Sequence, residues 1–188
     1  ADALRASLLT GNAPGNDMRF YWEKVENERN FANKVWNAAR FIMMNLEKAE
    51  AELSGGMAEL LGNAGKSGEA GEIPEGLKLE LSDKWILSKQ NDLNDRIASN
   101  MDAFELGIAL DNVTDFIWNE YCDWYIEMVK PRLYGDDADS KRAALWTLKT
   151  VLVSSLKLLH PFMPFITEEI FDNLTDEESI MISDYPVR

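Results

Sequence analysis

The chain has 188 residues, 46% of them hydrophobic, which is enough for one domain with a substantial core. Its 33 acidic and 19 basic residues give a net charge of −14. That charge argues against a general nucleic-acid binder, because such proteins are usually basic. A local RNA site is still compatible with it, since 0.1 M salt screens exposed charges beyond about 10 Å. The single cysteine, Cys122, rules out an internal disulfide, and no apolar run approaches the roughly 20 residues of a membrane span.

Hydrophobic periodicity predicts helices along most of the chain. A short helix over residues 2–10 is followed by a turn-rich stretch and by a long helix over 21–53. Because the chain starts within a helical pattern and without an initiator methionine, we expect it to be part of a longer protein. Residues 54–81 contain seven glycines and are predicted to form a mobile loop, with at most a short helical piece at 57–61.

Four further helices complete the predicted fold. The first spans residues 82–101 with Ser82 as its N-cap, and the second runs from Asp102 until Pro131 and Gly135 stop it. The third starts at 139 or 140 and ends at Pro161, and the fourth spans 164–174. Apolar residues of the second helix recur at spacings of four and three and predict its core-facing side: Leu106, Leu110, Val113, Ile117, Tyr121, Trp124 and Met128.

The predicted fold class is therefore all-α, an antiparallel helix bundle with one long loop. Residues 179–183 alternate between polar and apolar and predict one short C-terminal strand. We see no internal repeat.

No group of residues forms a catalytic, metal or cofactor site. His160 lies at a helix end, where a structural role is expected. Cys122 lies beside the helix seam with no histidine near it in sequence, which indicates a buried and inert thiol. The run at residues 65–67 resembles part of a phosphate loop, but Leu60 stands where that motif needs a glycine. The acidic pairs near the C-terminus are typical of a solvated surface.

The long helix predicted over residues 21–53 is the one segment whose pattern indicates a binding site. Its apolar residues gather on one side and predict the core face: Phe31, Val35, Ala38, Ile42, Leu46 and Leu53. On the far side and its flanks lie Asn30, Asn33, Lys34, Asn37 and Arg40, with Phe41 at the edge of the polar arc. Residues 29–46 contain three basic residues and no acidic one. In a chain that is acidic nearly everywhere else, this segment indicates a local binding face.

Two interpretations of this face are open. Asparagine amides suit base edges, Lys34 and Arg40 suit phosphates, and an exposed Phe41 stacks on an unpaired base for about 1–3 kcal/mol. This is how single-stranded RNA loops are recognised. In the alternative, Phe41 and Trp36 pack under a neighbouring helix and the asparagines are merely solvated. The pattern alone favours the alternative, because aromatic residues on helices mostly belong to the core.

Five motifs, spread over nearly the whole chain, resemble the anticodon-binding domain of class I aminoacyl-tRNA synthetases. The first and last of them are shared with the isoleucyl and leucyl branches, whereas the Gly-Asn-Asp-Met motif and the long-helix motif are similar to the valyl branch. The motifs are Asp2-Ala3-Leu4-Arg5, Pro14-Gly15-Asn16-Asp17-Met18, Asn30 through Phe41, Cys122-Asp123-Trp124-Tyr125 and Leu159-His160-Pro161-Phe162-Met163-Pro164-Phe165.

The resemblance implies a helical bundle of the class Ia type that grips the anticodon arm of the tRNA for valine. It gives Lys34, Asn37, Arg40 and Phe41 candidate roles in that contact, beside the Asn30 and Asn33 amides. The class I signatures His-Ile-Gly-His and Lys-Met-Ser-Lys-Ser are absent from the sequence. The resemblance therefore implies that catalysis and ATP binding belong to a parent ligase and that this chain itself binds no cofactor.

The resemblance also implies a domain organisation. Residues 1–22 would lead from a catalytic domain of the same polypeptide, residues 23–174 would form the anticodon-binding bundle, and 175–188 would extend toward a C-terminal region. We expect a cytoplasmic monomer that contacts no membrane. Two alternatives are an isoleucyl-type domain and a helical bundle that only docks onto protein partners.

Overall fold

A computed structural model describes residues 1–11, 19–52 and 73–186. Within these ranges the regular structure is helical and contains no strand, which confirms the predicted fold class. The elements are α1 (Asp2–Ser7), α2 (Trp22–Glu52), α3 (Leu81–Asp102), α4 (Leu106–Asp115), a π-helix (Phe116–Tyr125), α5 (Ile126–Leu133), α6 (Ala138–Leu159), α7 (Pro164–Leu174) and a 3₁₀ turn (Ile180–Ile182).

The element α4, the π-helix and α5 follow one another without a break, and we call them together the composite helix. The composite helix runs antiparallel to α3, because Arg132 contacts Asp83 near one end and Asn112 contacts Asn100 near the other. It runs antiparallel to α6 as well, since Tyr121 bonds to Leu148 and Arg132 to Ser140. Two neighbours of the composite helix, α3 and α6, are therefore antiparallel to it, as predicted.

The helix α2 lies beside the composite helix and runs parallel to it. The Phe31 ring stacks on Trp118 with centroids 6.3 Å apart, and ten residues further along α2 the Phe41 ring faces Lys130. The two helices thus present neighbouring edges to solvent over several turns.

The helix α6 lies at the centre of the bundle. Most of its residues from Ala143 to Leu159 are buried, and a helix that is apolar nearly all round is expected to be enclosed by others. Two of its buried hydroxyls have partners, since Ser155 donates to Gln90 at 3.1 Å and Thr147 donates to the Ala143 carbonyl at 2.9 Å, whereas the buried Thr150 hydroxyl has no hydrogen-bond partner in the described ranges. Satisfied polar groups of this kind avoid the desolvation cost of burial.

Several predicted helix ends are one to four residues off. The helix α3 begins at Leu81, and the Glu80 N–H donates to the Asp83 carboxylate at 2.9 Å, so Ser82 is not its N-cap. Asp102 ends α3 instead of opening the next helix. Phe104 reverses the chain there with a φ of 58°, a left-handed conformation that is uncommon for a bulky residue. The cap of α6 is Asp137, which accepts from two backbone N–H groups.

One other local prediction is wrong. Residues 179–183 form no strand, because the Ser179 hydroxyl accepts from the Met181 N–H and closes a 3₁₀ turn instead. The composite helix ends at Leu133, between Pro131 and Gly135, the two residues predicted to stop it. The helical piece at 57–61 and the phosphate-loop-like run at 65–67 lie outside the described residues, as does most of the predicted loop.

The core-facing side of the composite helix differs from its prediction after Tyr121. Leu110, Val113, Ile117 and Tyr121 are buried as expected, but Trp124 is 63% exposed and Met128 is 43% exposed. The buried residues recur instead at every fourth position: Ile117, Tyr121, Tyr125, Val129 and Leu133. The reason is the π-helix, whose hydrogen bonds span five residues and widen each turn, so that the buried face moves by one residue relative to an α-helix.

Candidate nucleic-acid interface

The predicted polar residues of α2 lie on its exposed side. Asn30, Asn33, Asn37 and Arg40 are all exposed, while the five described residues of the predicted apolar stripe are buried on the opposite side: Phe31, Val35, Ala38, Ile42 and Leu46. We call these four exposed residues the α2 ridge. Arg40 makes no hydrogen bond or ion pair to another residue in the described ranges, so its guanidinium is available to an outside partner. The ridge offers amide donors and acceptors together with a cation.

Lys34 lies on the flank of the ridge and is already engaged. Its Nζ is 2.6 Å from Asp123 Oδ1 and 4.0 Å from the centroid of the Trp118 ring, and the side chain is 24% exposed. The ion pair joins α2 to the π-helix. Because its charge is paired with a carboxylate, Lys34 can reach an external phosphate by exchanging one anionic partner for another.

Phe41 is half-buried and packs against the core with part of its ring. Lys130 Nζ lies 5.8 Å from the ring centroid. The ring therefore belongs partly to the core and partly to the edge of the ridge. Trp36, by contrast, is exposed, so the interpretation that buries both aromatics under a neighbouring helix is wrong for Trp36.

Three exposed residues of the composite helix were not predicted from the sequence. Asp123 adjoins α2 through its ion pair with Lys34, whereas Trp124 and Met128 lie in the same helical row as Glu120, which pairs with Lys89 of α3. Periodicity placed Trp124 and Met128 in the core, and the presence of a π-helix left no signal in the hydrophobic pattern. The motif from Cys122 to Tyr125 was noticed for its resemblance but gave no indication of which side chains face solvent.

The residues for which an inert role was predicted are buried. Cys122 lies in the core, and burial raises the pKa of its thiol to about 12, so the thiolate is not available at neutral pH, as predicted. His160 is buried at the end of α6 with its Nδ1 2.7 Å from the Thr167 hydroxyl, and burial lowers its pKa. Thr167 donates its own proton to the Met163 carbonyl, so His160 donates from Nδ1. These contacts support the predicted structural role for His160.

The described parts of the chain show neither a group of residues arranged for a metal ion nor a helix suited to a membrane span. No group of three or more histidine, cysteine or acidic residues there is arranged to hold a metal ion. None of the helices in those parts is long and apolar enough to cross a bilayer.

Comparison with known proteins identifies the family. A family model described as the anticodon-binding domain of tRNA ligase matches residues 83–188. The chain belongs to this family. The match includes the composite helix, α6 and α7, whereas α2 precedes it.

Similarity to curated proteins extends over the whole chain, α2 included. The chain is 51% identical over 187 residues to the valine–tRNA ligase of Clostridium perfringens and 49% identical to that of Clostridium tetani. Each match covers 99% of this chain and 19% of the relative, so the chain spans about a fifth of the length of these ligases.

A solved structure shares the fold. It is the ternary complex of Agrobacterium radiobacter K84 LeuRS with tRNA and LeuAMS, with a TM-score of 0.68 and 14% identity over 99% of this chain and 19% of that one. At this identity the likeness confirms the fold of the helical bundle and leaves the side-chain roles to be argued from this chain.

Proposed function

We propose that this chain binds the anticodon arm of the tRNA for valine through the α2 ridge. The observation that carries the proposal is the exposure of the ridge: three amides and an arginine face solvent on a segment, residues 29–46, that contains no acidic residue. The chain carries a net charge of −14, so an RNA would approach where the acidic residues are missing. Membership of an anticodon-binding family supports the same choice of partner.

The residues of the ridge suit different parts of an RNA loop. The amides of Asn30, Asn33 and Asn37 hydrogen-bond to the edges of unpaired bases, which is how sequence is read in loops. Arg40 binds phosphate or stacks on a base plane. Lys34 contributes a phosphate contact when the RNA replaces Asp123 as its partner. Phe41 offers the exposed part of its ring at the edge of the ridge.

In this proposal the chain positions tRNA for a reaction that takes place elsewhere. The parent would be a cytoplasmic, monomeric valine–tRNA ligase whose catalytic domain, on the same polypeptide, uses ATP to load valine. Residues 1–22 would lead from that domain and residues 175–188 toward a C-terminal region. The identity of 42–51% to eight valine–tRNA ligases supports valine over isoleucine as the amino acid.

A titration with tRNA tests the proposal. We expect the chain to bind the tRNA for valine more tightly than the tRNA for isoleucine and the binding to weaken with salt. Replacing Arg40 with alanine should weaken binding and lower the slope of log K against log salt by about one, if the guanidinium meets one phosphate. Arg96→Ala is the matched control, because Arg96 is an exposed arginine on α3, away from the ridge.

Three outcomes would contradict parts of the proposal. Binding to neither tRNA would favour a bundle that docks onto proteins. Tighter binding to the tRNA for isoleucine would favour the isoleucyl alternative. Equal salt slopes for the wild type and Arg40→Ala, with binding retained, would move the RNA contact away from the ridge.

A further inference from the structure

We propose that a cleft between the start of α2 and the composite helix binds the guanidinium group of a small organic cation. The cleft has a volume of about 510 Å³, within the range of clefts that hold small ligands. Glu28 is the α2 residue in its wall, and it lies on the side of α2 opposite to the ridge. The inference is therefore separate from the RNA contact and does not rest on the proposed function.

The first argument is that the cleft is acidic. It is lined by three acidic residues, two asparagines, two threonines and a tryptophan, and no basic residue of the described ranges is among them. The acidic residues are Glu28, Asp111 and Asp115, and no ion pair joins any of them to a described cation. Lys24, whose charge acts on Asp111, donates instead to the Thr10 carbonyl at 3.1 Å. A cation that enters the cleft therefore meets carboxylates that have no paired cation.

The second argument is an unsatisfied oxygen deep in the cleft. Glu28 is only 9% exposed; its Oε1 accepts from the Thr10 hydroxyl at 3.0 Å, while its Oε2 has no hydrogen-bond partner in the described ranges. Burial raises the pKa of Glu28, the bond from Thr10 opposes that shift, and Asp111 adds to it. A buried carboxylate oxygen without a donor is costly. A donor carried by a cation would satisfy Oε2 and offset the repulsion between Glu28 and Asp111.

The third argument is that the asparagines of the cleft also favour a ligand rich in donors. Asn119 Nδ2 donates to Asp115 Oδ1 at 2.5 Å, and Asn112 Nδ2 donates to Asn100 Oδ1 at 3.2 Å. Neither of the two lining amides accepts a hydrogen bond through its oxygen in the described ranges, so both oxygens remain acceptors. A guanidinium suits this set of carboxylate and amide oxygens, because it carries five N–H donors in one plane and no acceptor.

The same chemistry favours a guanidinium over a metal ion or an ammonium. No three histidine, cysteine or acidic residues of the described ranges are arranged to hold a metal ion. A guanidinium is more weakly hydrated than an ammonium, so it loses less on entering a partly buried site. Elsewhere in the chain, the Arg132 guanidinium binds both oxygens of the buried Asp83 and the Ser140 carbonyl. The cleft offers the same kinds of acceptor without a described arginine to fill them.

The experiment titrates the chain with agmatine, which carries a guanidinium at one end and an ammonium at the other, and follows the backbone amides by NMR. A salt concentration of about 0.15 M screens the diffuse attraction of cations to a net charge of −14. We expect saturable shifts at Glu28 and residues 111–119. Glu28→Gln and Asp111→Asn should each weaken binding by about ten-fold to 150-fold, as for one lost hydrogen bond to a charged group. Glu26→Gln is the matched control, because it removes a charge from an exposed position of the same helix.

Two further probes define the ligand. Putrescine replaces the guanidinium of agmatine with a second ammonium and should bind more weakly. N-acetylarginine amide represents an arginine side chain within a polypeptide. Tighter binding of agmatine than of this derivative would identify a free dication as the ligand, and the reverse order would identify a guanidinium carried by a polypeptide; both orders support a guanidinium site.

Three outcomes would overturn the inference. Shifts that do not saturate, or that spread over the whole acidic surface, would show diffuse attraction only. Equal weakening by Glu28→Gln and Glu26→Gln would place the cation elsewhere. Putrescine or Mg²⁺ binding more tightly than agmatine at the same residues would show that the cleft does not select a guanidinium.

The two cleft variants guard against a loss of binding through unfolding. Glu28→Gln keeps an acceptor for the Thr10 hydroxyl, and Asp111 is exposed, so both variants should fold. Denaturation midpoints check this expectation. A folded variant of either kind that binds agmatine like the wild type would count against the inference.

Discussion

The helix α2 and the composite helix lie side by side and are both amphipathic, yet their sequences predict their faces with different success. In α2, all the predicted core residues in the described range are buried and the ridge is exposed. In the composite helix the same kind of pattern is right up to Tyr121 and then assigns Trp124 and Met128 to the wrong side. The comparison shows that the spacing of apolar residues predicts the buried face of a helix only where the type of helix, α or π, is known.

The difference has a physical basis in the buried partners of the composite helix. Arg132 donates from two nitrogens to the two oxygens of Asp83 at 2.7 and 2.9 Å, and Asp83 is fully buried. The Tyr125 hydroxyl donates to the same carboxylate. A buried carboxylate is costly unless donors surround it, so this cluster favours the arrangement in which Tyr125 points inward. The core face of α2 is mostly apolar, and its buried carboxylate, Glu28, accepts a bond from the Thr10 hydroxyl but has no arginine partner in the described ranges.

The largest expected effect tests the shifted face directly, with two neighbouring residues. Tyr125→Ala should destabilise the domain by about 3–5 kcal/mol, because a fully buried aromatic ring and a hydrogen bond to Asp83 are lost. Trp124→Ala should cost less than about 1 kcal/mol, as expected for an exposed residue. Chemical denaturation of both variants measures the two costs.

This pair discriminates between the two helix geometries because each predicts the opposite order. A regular α-helix through this segment would bury Trp124 and make its removal the more damaging. Tyr125→Phe is the control for the hydrogen bond, since it keeps the ring and removes the hydroxyl. If Trp124→Ala destabilised the domain more than Tyr125→Ala, the π-helix assignment would be wrong.

The sequence was sufficient for features that depend on local chemistry. The extent of α7 followed from Pro164 at its start, and the far side of α2 followed from angles around a regular helix. The sequence was insufficient where a residue far away in the chain determines where a helix starts or which way a side chain points. Asp83 sets the start of α3 and the direction of Tyr125, and the partner of Lys34 is a carboxylate 89 positions away. The prediction of a strand at 179–183 was wrong, because the hydrogen bond from the Met181 N–H to the Ser179 hydroxyl closes a turn there despite the alternation of polar and apolar residues.

Phe41→Ala should have an intermediate effect and sharpens the description of α2. Because the ring is half-buried, we expect a loss of about 1–3 kcal/mol of stability, less than the roughly 3–5 kcal/mol of a fully buried phenylalanine. If the exposed part of the ring stacks on a base, the folded variant should also bind the tRNA more weakly. Denaturation and tRNA titration of the same protein measure the two quantities separately.

Phe31→Ala is the matched control, since Phe31 is a buried phenylalanine on the same helix. It should lose more stability than Phe41→Ala, while its folded fraction keeps normal affinity for tRNA. A Phe41→Ala variant that behaved like Phe31→Ala in both measurements would place Phe41 in the core and remove it from the interface.

The smallest expected effect lies where α2 meets α4, at a carboxylate on the buried side of α2. Glu28 is buried; its Oε1 accepts from the Thr10 hydroxyl at 3.0 Å, and its Oε2 has no hydrogen-bond partner within the described ranges. Burial raises the pKa of Glu28, the bond from Thr10 opposes that shift, and the nearby Asp111 adds to it. Burial raises the pKa of Asp111 as well. The charged form of Glu28 is therefore disfavoured in the folded protein.

The sign of the pH dependence follows from that direction. A carboxyl whose folded pKa is raised contributes stability below its ordinary pKa of 4.5 and loses that contribution as the pH rises through the folded value. Glu28→Gln keeps an acceptor for Thr10 and removes the charge, so it should be more stable than the wild type at pH 7. That advantage should shrink as the pH falls toward the ordinary value. Denaturation midpoints between pH 7 and pH 5, with the exposed Glu26→Gln as control, measure it. Two outcomes would contradict this prediction: an advantage that stays constant with pH, or a glutamine variant that is less stable than the wild type at pH 7. Either would show that burial does not disfavour the charged form of Glu28, and that the buried side of α2 accommodates a carboxylate as well as its exposed side does.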